Sequence, residues 1–436
     1  MHRESVVKAP LNIAIAGLGV VGSGTLKLLH RNAELLASRG GRHLRVCAVS
    51  ARDQRRERGV DLSAIRWYAD PVALAADDKA DVVVELIGGS DGVALDVVRT
   101  ALGRGKHVVT ANKALMARHG TALAKLAEEK GVALVFEAAV AGGIPVIKTL
   151  REGLAANHVA RVYGILNGTC NYILTTMRES GRDFAAVLAE AQQLGYAEAD
   201  PSFDIDGIDA AHKLAILTAV AFGTAVDFDG VYVEGIRHIS ALDIEYAEEL
   251  GFRIKLLGLA RPSEHGIEQR VHPCMVPRTT PIAHVEGVFN AVMVEGDFAG
   301  RIMLEGRGAG AEPTASAVVA DLLDIANERR SPSFAVAAAA LRPVKASPMD
   351  RHRGAYYVRL MVRDVPGVIA DVAAALRDQQ VSMEAMIQRA RSPGEAVPVV
   401  LTTHDTEEAA MQRALRHIGG LDTVLEPPRM IRIETL

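Results

Sequence analysis

The sequence predicts an α/β protein built in three parts, and three observations predict it. Residues 11–145 alternate short apolar runs (LNIAIAG, LRVCAVS, DVVVELIG, HVVTAN, ALVFEAAV) with amphipathic stretches. That is the pattern of a parallel sheet covered by helices on both faces. Past Pro145 the pattern is mixed, with strand-like VARVYGIL and helical stretches near 183–195, 207–222 and 242–257, as in an α+β domain. Residues 355–436 read strand, helix, strand, strand, helix, strand, the split βαβ plan.

Taken in order, residues 1–145 form the first domain and 146–305 the second. The stretch 306-GRGAGAEPTASAVVADLLDIA-326 is a glycine-rich turn followed by a helix, and 306–340 is predicted to pack back on the first domain. Residues 330–353 are rich in Ala, Pro, Arg and Ser, so 341–354 reads as a linker, and 355–436 is the third domain.

The bulk numbers exclude several classes. With 436 residues, 49 % hydrophobic and 23 % charged, the chain can build a sizeable core. A net charge of −4 and 4 % aromatics give no basis for nucleic-acid or membrane-surface binding. Cys47, Cys170 and Cys274 are far apart and odd in number, which fits neither a disulfide framework nor a CxxC metal site. A cytoplasmic location is the simplest reading. The N-terminus lacks a signal-peptide pattern, and no apolar run reaches the ~18 residues that span a bilayer.

The first sharp motif is 17-GLGVVG-22, after a strand and before a helix. Gly17 permits the tight turn, Gly19 lets backbone approach a pyrophosphate, and Gly22 lets helix and strand pack closely. Leu18, Val20 and Val21 fill the same turn. The free N–H groups of the helix start then face the phosphates. This predicts a Rossmann dinucleotide-binding domain. After the second strand come Ser50, Ala51 and Arg52, then Arg55 and Arg56, where an NAD site carries a carboxylate. A hydroxyl and guanidinium groups suit a 2′-phosphate, so NADP(H) is expected over NAD(H), which remains possible. The alternative is a solvated charged loop. Lys113, in 110-TANKALM-116, follows a strand at the ligand-binding edge of the sheet.

The stretch 196-YAEADPSFDIDGIDAAHKLAILTAVA-221 places acids at the start of an apolar helix. Asp209 and Lys213 are four apart and share a face. LAILTAVAF continues apolar nearly all round, so the pair is buried. Buried lysines and carboxylates shift their proton affinities, and active sites obtain proton donors that way. A structural ion pair is the bland alternative. Asp206 reads as a helix cap, and Asp200 with Ser202 as a turn after Pro201. Together these features suggest a nicotinamide-dependent oxidoreductase, with Lys213 as proton donor and carboxylates suited to a substrate ammonium.

The segments GLGVVGSGT, TANKALM, FEAAVAGGIPVI, GILNGTCNYIL, LGYAEADPSFDIDGIDAAHK and GAGAEPTASAVVADL occur in the order of the homoserine dehydrogenases, which residues 11 to about 340 resemble. The resemblance implies NAD(P)H-dependent reduction of L-aspartate 4-semialdehyde to L-homoserine, in threonine, methionine and isoleucine synthesis. It implies that Lys213 donates the proton and that Lys113 lies near cofactor and substrate. It assigns Glu198 and Asp209 to substrate binding, with Asp204 a further acid. It places Gly195 and Gly310 beside the nicotinamide half. It implies main-chain oxygens of Glu137, Val140, Gly142 and Ile144 around a monovalent cation, usually sodium. Residues 146–305 become a catalytic and dimerisation domain, hence a homodimer or homotetramer. Residues 355–436 resemble an ACT domain of ferredoxin-like plan, with Asp364, Gly367 and Ser382 near an amino-acid effector, threonine in this family. Two other readings stand beside this one: an amino-acid sensor without catalysis, and a sister oxidoreductase of another amino acid. Retention of Lys113, Glu198, Asp209 and Lys213 together argues against the sensor.

Overall fold

The computed structural model describes residues 8–389, 392 and 394–436. The first sheet holds β1 (Leu11–Ala16), β2 (Leu44–Ser50), β3 (Arg66–Tyr68), β4 (Val82–Glu85), β5 (His107–Thr110) and β6 (Leu134–Val135). All pair in parallel, in the order β3-β2-β1-β4-β5-β6. The chain reverses its winding between β1 and β4, and ligands bind at such switch points. The strands read as apolar runs because both faces are buried, as at Ile13, Ile15, Val82 and Val84. The helix Ala311–Ala326 returns to this domain and packs Val318 and Leu322 against Leu26 and Leu29.

The second region is built on β7 (Val159–Ile165), β8 (Tyr232–Val233), β9 (Phe252–Ser263), β10 (Gly266–Pro277), β11 (Phe289–Gly296) and β12 (Gly300–Arg307). Its backbone order is β12-β11-β7-β9-β10, antiparallel throughout. The helix Ile208–Phe222 is buried from Asp209 to Val220, as its all-round apolar pattern requires. The helix expected over 242–257 stops at Glu249. Gly251 takes a φ of +83° there, and FRIKLLGLA continues as β9 because its residues pair with β10 and bury.

The C-terminal region holds β13 (Arg353–Arg363), β14 (Met383–Ile387), β15 (Ala396–Thr403), β16 (Thr406–Glu407) and β17 (Arg429–Ile433), with helices Val368–Asp378 and Glu408–Gly419 on one face. The order β17-β13-β15-β14 is the split βαβ plan. One feature is absent from the sequence pattern. β17 pairs in parallel with β10 through Cys274↔Arg432 and Met275↔Ile433, so the second and third regions share one continuous sheet. The segment before β13 is also tied down: Arg342 donates to the Phe222 carbonyl, and Ala346 bridges to Ile267. No helix among the described residues is long and apolar enough to cross a membrane.

Candidate active site

The glycine turn is shaped by contacts that a side chain would break. A Cβ on Gly17, at φ +102°, would lie 2.4 Å from the Leu86 carbonyl oxygen, and one on Gly22 would lie 2.0 Å from that of Gly17. Gly19 faces open space, with nothing within 4 Å of an added Cβ. It caps the helix Val20–Arg31 without a side-chain bond, leaving the first N–H groups free for an anion. The turn opens on a cleft of about 700 Å³ lined by Leu18, Ser50, Arg52 and Arg58. Val20 is exposed beside it and Val21 half-buried. These residues fit a dinucleotide. Ser50 is buried, and its carbonyl accepts from Gly17 N at 2.9 Å; Arg52 is exposed. Sequence reasoning missed Arg58. It is buried, it donates to the carbonyls of Leu18, Arg56 and Asp53, and it lies 5.5 Å over the Trp67 ring. It therefore pins the arginine loop to the glycine turn.

Lys113 begins the helix Lys113–Glu129, whose cap Asn112 accepts from Leu115 N. Its ammonium pairs with Asp209 Oδ1, joining the first region to the second. Asp209 Oδ2 accepts from Lys213 Nζ at 2.7 Å, and Lys213 also donates to the Leu166 carbonyl at 2.7 Å. One ammonium hydrogen of Lys213 is left for a ligand. Lys213 is 7 % exposed and Asp209 2 %. Burial would raise the Asp209 carboxyl, but the Lys213 and Lys113 ammonium groups outweigh it and hold it well below the usual range. Burial lowers the Lys213 ammonium; Asp209 opposes that shift and Lys113 adds to it. The result is an ionised carboxylate between two cations, one of which gives up its proton more readily than a free lysine.

Asp204 sits in the turn of helix Ser202–Ile205 before this helix. Its carboxyl is raised by burial and by Asp209, against a hydrogen bond from Asn167. Asn167, another residue the sequence reading missed, donates to both acids. The Glu198 side chain is exposed and has no hydrogen-bond or ion-pair partner among the described residues. Its loop is held through main chain, with Gln192 donating to the Glu198 carbonyl and Thr169 to that of Tyr196. Asp206 does not cap the helix. Gly207, at φ +86°, takes that place, and Asp206 pairs with Arg237. Gly195 ends the preceding helical segment at φ +76°, and Gly310 caps the helix Ala311–Ala326 at φ +115°. Both are exposed positions open to a ligand.

The turn from Glu137 to Ile144 packs against the strand that leads to Gly310; a Cβ on Gly142, at φ +50°, would lie 2.6 Å from the Gly308 carbonyl oxygen. The Glu137 carboxylate accepts from Ile147 N and Lys148 N, so its side chain is already engaged. Burial and the neighbouring Asp321 push it up to about 7. The carbonyls of Glu137 and Ile144 each accept one backbone bond. Those of Val140 and Gly142 lie on buried residues and accept none among the described residues. Buried oxygens of this kind need a partner, and oxygen donors fit a hard cation.

In the C-terminal region Asp364 and Gly367 are close along the turn after β13. Asp364 accepts from Ser392 N, and Gly367 caps the next helix at φ +99°. Ser382 is not beside them. β13 pairs Arg363 with Ala396, whereas β14 pairs Met383 with Thr403 at the far end of β15. At ~3.3 Å per residue the two lie roughly 23 Å apart along the strand. Within one chain they do not form a single site, because β14 runs antiparallel to β15 and starts at its opposite end.

Comparison with known proteins names the family. The homoserine dehydrogenase family profile matches residues 145–323, the homoserine dehydrogenase NAD-binding domain 17–137, and the ACT domain 356–420. The chain is 48 % identical over 433 residues to a homoserine dehydrogenase of Neisseria gonorrhoeae, covering 98 % of this chain and 99 % of that one. It is similar to the crystal structure of a homoserine dehydrogenase from Thiobacillus denitrificans, with 47 % identity, a TM-score of 0.92 and 98 % of each chain covered. A hyperthermophilic archaeal homoserine dehydrogenase in complex with NADPH matches at 27 % identity and a TM-score of 0.64, over 74 % of this chain and 99 % of that one. A Rossmann sheet with an open glycine turn, a buried lysine–aspartate–lysine cluster, a C-terminal ACT domain and 48 % identity to a homoserine dehydrogenase over nearly the whole chain place the chain in the homoserine dehydrogenase family of NAD(P)-dependent oxidoreductases.

Proposed function

We propose that the chain reduces L-aspartate 4-semialdehyde to L-homoserine with NADPH, and that Lys213 protonates the carbonyl oxygen. The observation that carries this reading is Lys213 itself: buried, its proton affinity lowered, two hydrogens committed and one left for a ligand. The nicotinamide, when bound, supplies the hydride to the aldehyde carbon. Lys213 delivers its proton to the oxygen as negative charge develops there. Asp209 stays ionised and holds both lysines in place. Asp204 and Glu198 are the acids left to meet the substrate ammonium, and Lys113 balances its carboxylate. The test is NADPH consumption with the semialdehyde in wild type and Lys213→Ala. Undiminished turnover in that variant would sink the role.

Several finer assignments rest on the same reading. Ser50 and Arg52 at the cofactor cleft favour NADP(H), as does the NADPH in the archaeal relative. A lower KM for NADH than for NADPH would count against that. The main-chain oxygens of Glu137, Val140, Gly142 and Ile144 would hold sodium. A sodium-free enzyme with unchanged stability and rate would refute it. Threonine is the proposed effector, bound at Asp364 and Gly367 of one chain, with Ser382 supplied by a second copy in a homodimer or homotetramer. The reaction belongs to threonine, methionine and isoleucine synthesis and to the cytoplasm.

A further inference from the structure

We propose that Asn167 is a positioning residue that fixes the protonation pattern of the Asp204–Asp209 pair, by donating one amide hydrogen to each carboxylate. The proposal rests on the reading that Lys213 is the proton donor. Asn167 is 4 % exposed and lies two residues past the end of β7. Its Nδ2 donates to Asp204 Oδ1 at 2.8 Å and to Asp209 Oδ2 at 2.9 Å. Its Oδ1 accepts from Cys170 N at 2.8 Å, which caps the helix Gly168–Ser180. That last bond sets the orientation of the amide. Flipped, its oxygen would face two carboxylates and its NH₂ a backbone donor.

The physical need is plain. Two ionised carboxylates on either side of one nitrogen repel each other, and that repulsion favours protonation of one of them. A proton taken up on Asp209 would weaken its hold on Lys113 and Lys213, and one on Asp204 would remove an acceptor from the substrate ammonium. The amide fills that position with hydrogens that cannot dissociate. Asp209 then keeps its oxygens for the lysines, and Asp204 keeps its second oxygen for a ligand. The neighbouring residue completes the arrangement, because the Leu166 carbonyl accepts from Lys213. The other groups near the pair are Asp206, the buried Cys170 thiol that donates to the Asp204 main-chain oxygen, and His212 on the Asp209 helix, which burial pushes down to about 4.

A helix cap alone would not need asparagine. Aspartate and serine cap equally well. Asn167→Asp and Asn167→Ser therefore preserve the helix start and remove the double donor. The measurements are kcat and kcat/KM against pH from about 5.5 to 10, NADPH affinity, thermal unfolding, and the same assay on Lys213→Ala. In Asn167→Asp three carboxylates crowd together, so kcat is expected to fall at least ~10-fold and the acid limb to move up by about one pH unit or more. Asn167→Ser should move it the same way by less, with NADPH affinity unchanged in both. If both variants keep the acid limb within about 0.3 unit of wild type, the proposal is overturned whatever happens to kcat, because a smaller rate alone would report packing. A Lys213→Ala enzyme that turns over normally would remove the lysine reading and the proposal with it. An inactive Lys213→Ala with unmoved limbs in both Asn167 variants would remove the Asn167 role alone.

Discussion

Two clusters of buried charge lie in this molecule, and they are built on opposite plans. The first is Lys113, Asp209 and Lys213, where two flexible ammonium groups share one carboxylate and one hydrogen is left over. The second joins the catalytic region to the ACT region through Arg270 of β10 and Arg432 of β17, each 1 % exposed. Arg432 donates to Glu408, Glu234 and Tyr232, and Arg270 donates to Glu268, Glu434 and His272. All three nitrogens of each guanidinium are engaged. Lysine changes its protonation when buried, whereas arginine keeps its charge and binds through a rigid fork. In the proposed mechanism the first cluster exchanges a proton, whereas the second, held by arginines, is closed to exchange. His272, Cys274 and Glu434 lie close enough together to ligate a metal, but Glu434 is taken by Arg270, and two guanidinium groups repel a cation there.

The sharpest way to break this contrast is to delete one cation from each cluster. Lys213→Ala is expected to lower kcat by ~10²–10⁴-fold. Asp209 keeps Lys113 and Asn167, so the urea midpoint should move little, and a collapse in stability would make that cluster structural. Arg432→Met should do the reverse. It leaves Glu408 and Glu234 without their shared partner, a loss of about 3–5 kcal/mol for breaking a buried pair. Equilibrium unfolding in urea reads it, and kcat without effector should stay near wild type. A stable Arg432→Met protein would show that the second cluster holds little.

Acid should separate the two regions as well. Burial opposes ionisation of Glu234 and Glu268, but His238 and Arg432 beside the first, and His352, Arg261 and Arg270 beside the second, pull both down to about 2. Between the usual 4.5 and that value the unfolded chain binds more protons than the folded one. The stabilisation is therefore complete above about pH 4.5 and is lost as pH falls toward about 2. Hydrogen exchange at falling pH should loosen β17 before β1. Equal protection of both strands throughout would contradict this. The smallest effect is expected where charge is solvent-exposed: Arg52→Ala should raise the NADPH KM ~3–10-fold and leave the NADH KM alone. Equal changes for both cofactors would deny Arg52 a role at the 2′-phosphate.

What the sequence made legible follows the same division. Asp209 and Lys213 stood out because an i,i+4 pair in an otherwise apolar helix is expensive, and Lys113 because it directly follows a parallel strand. The parallel sheet and the split βαβ order followed from periodicity. Asn167 was invisible, since an asparagine before a helix reads as a cap, and its acids lie 37 and 42 residues away. Arg270 and Arg432 sit in alternating strands, where charge reads as a solvated face. Both are buried where β10 and β17 pair and where Glu408 and Tyr232 close over Arg432. Asp206 reads as a cap in the sequence because no local signal shows that Gly207 adopts a left-handed φ or that Arg237 waits across the turn.

The β10–β17 seam also bears on how the molecule assembles. β10 pairs with β9 through a tight hairpin between neighbouring residues, whereas β17 comes to it from the far end of the ACT region. Contacts so distant along the chain close slowly. Until then part of β10 presents an open edge, the kind of surface that recruits strands from other chains. The last strand thus covers part of that edge as well as joining the two regions. Arg432 serves both ends, since its guanidinium finds Glu234 and Glu408 together only in the correct register.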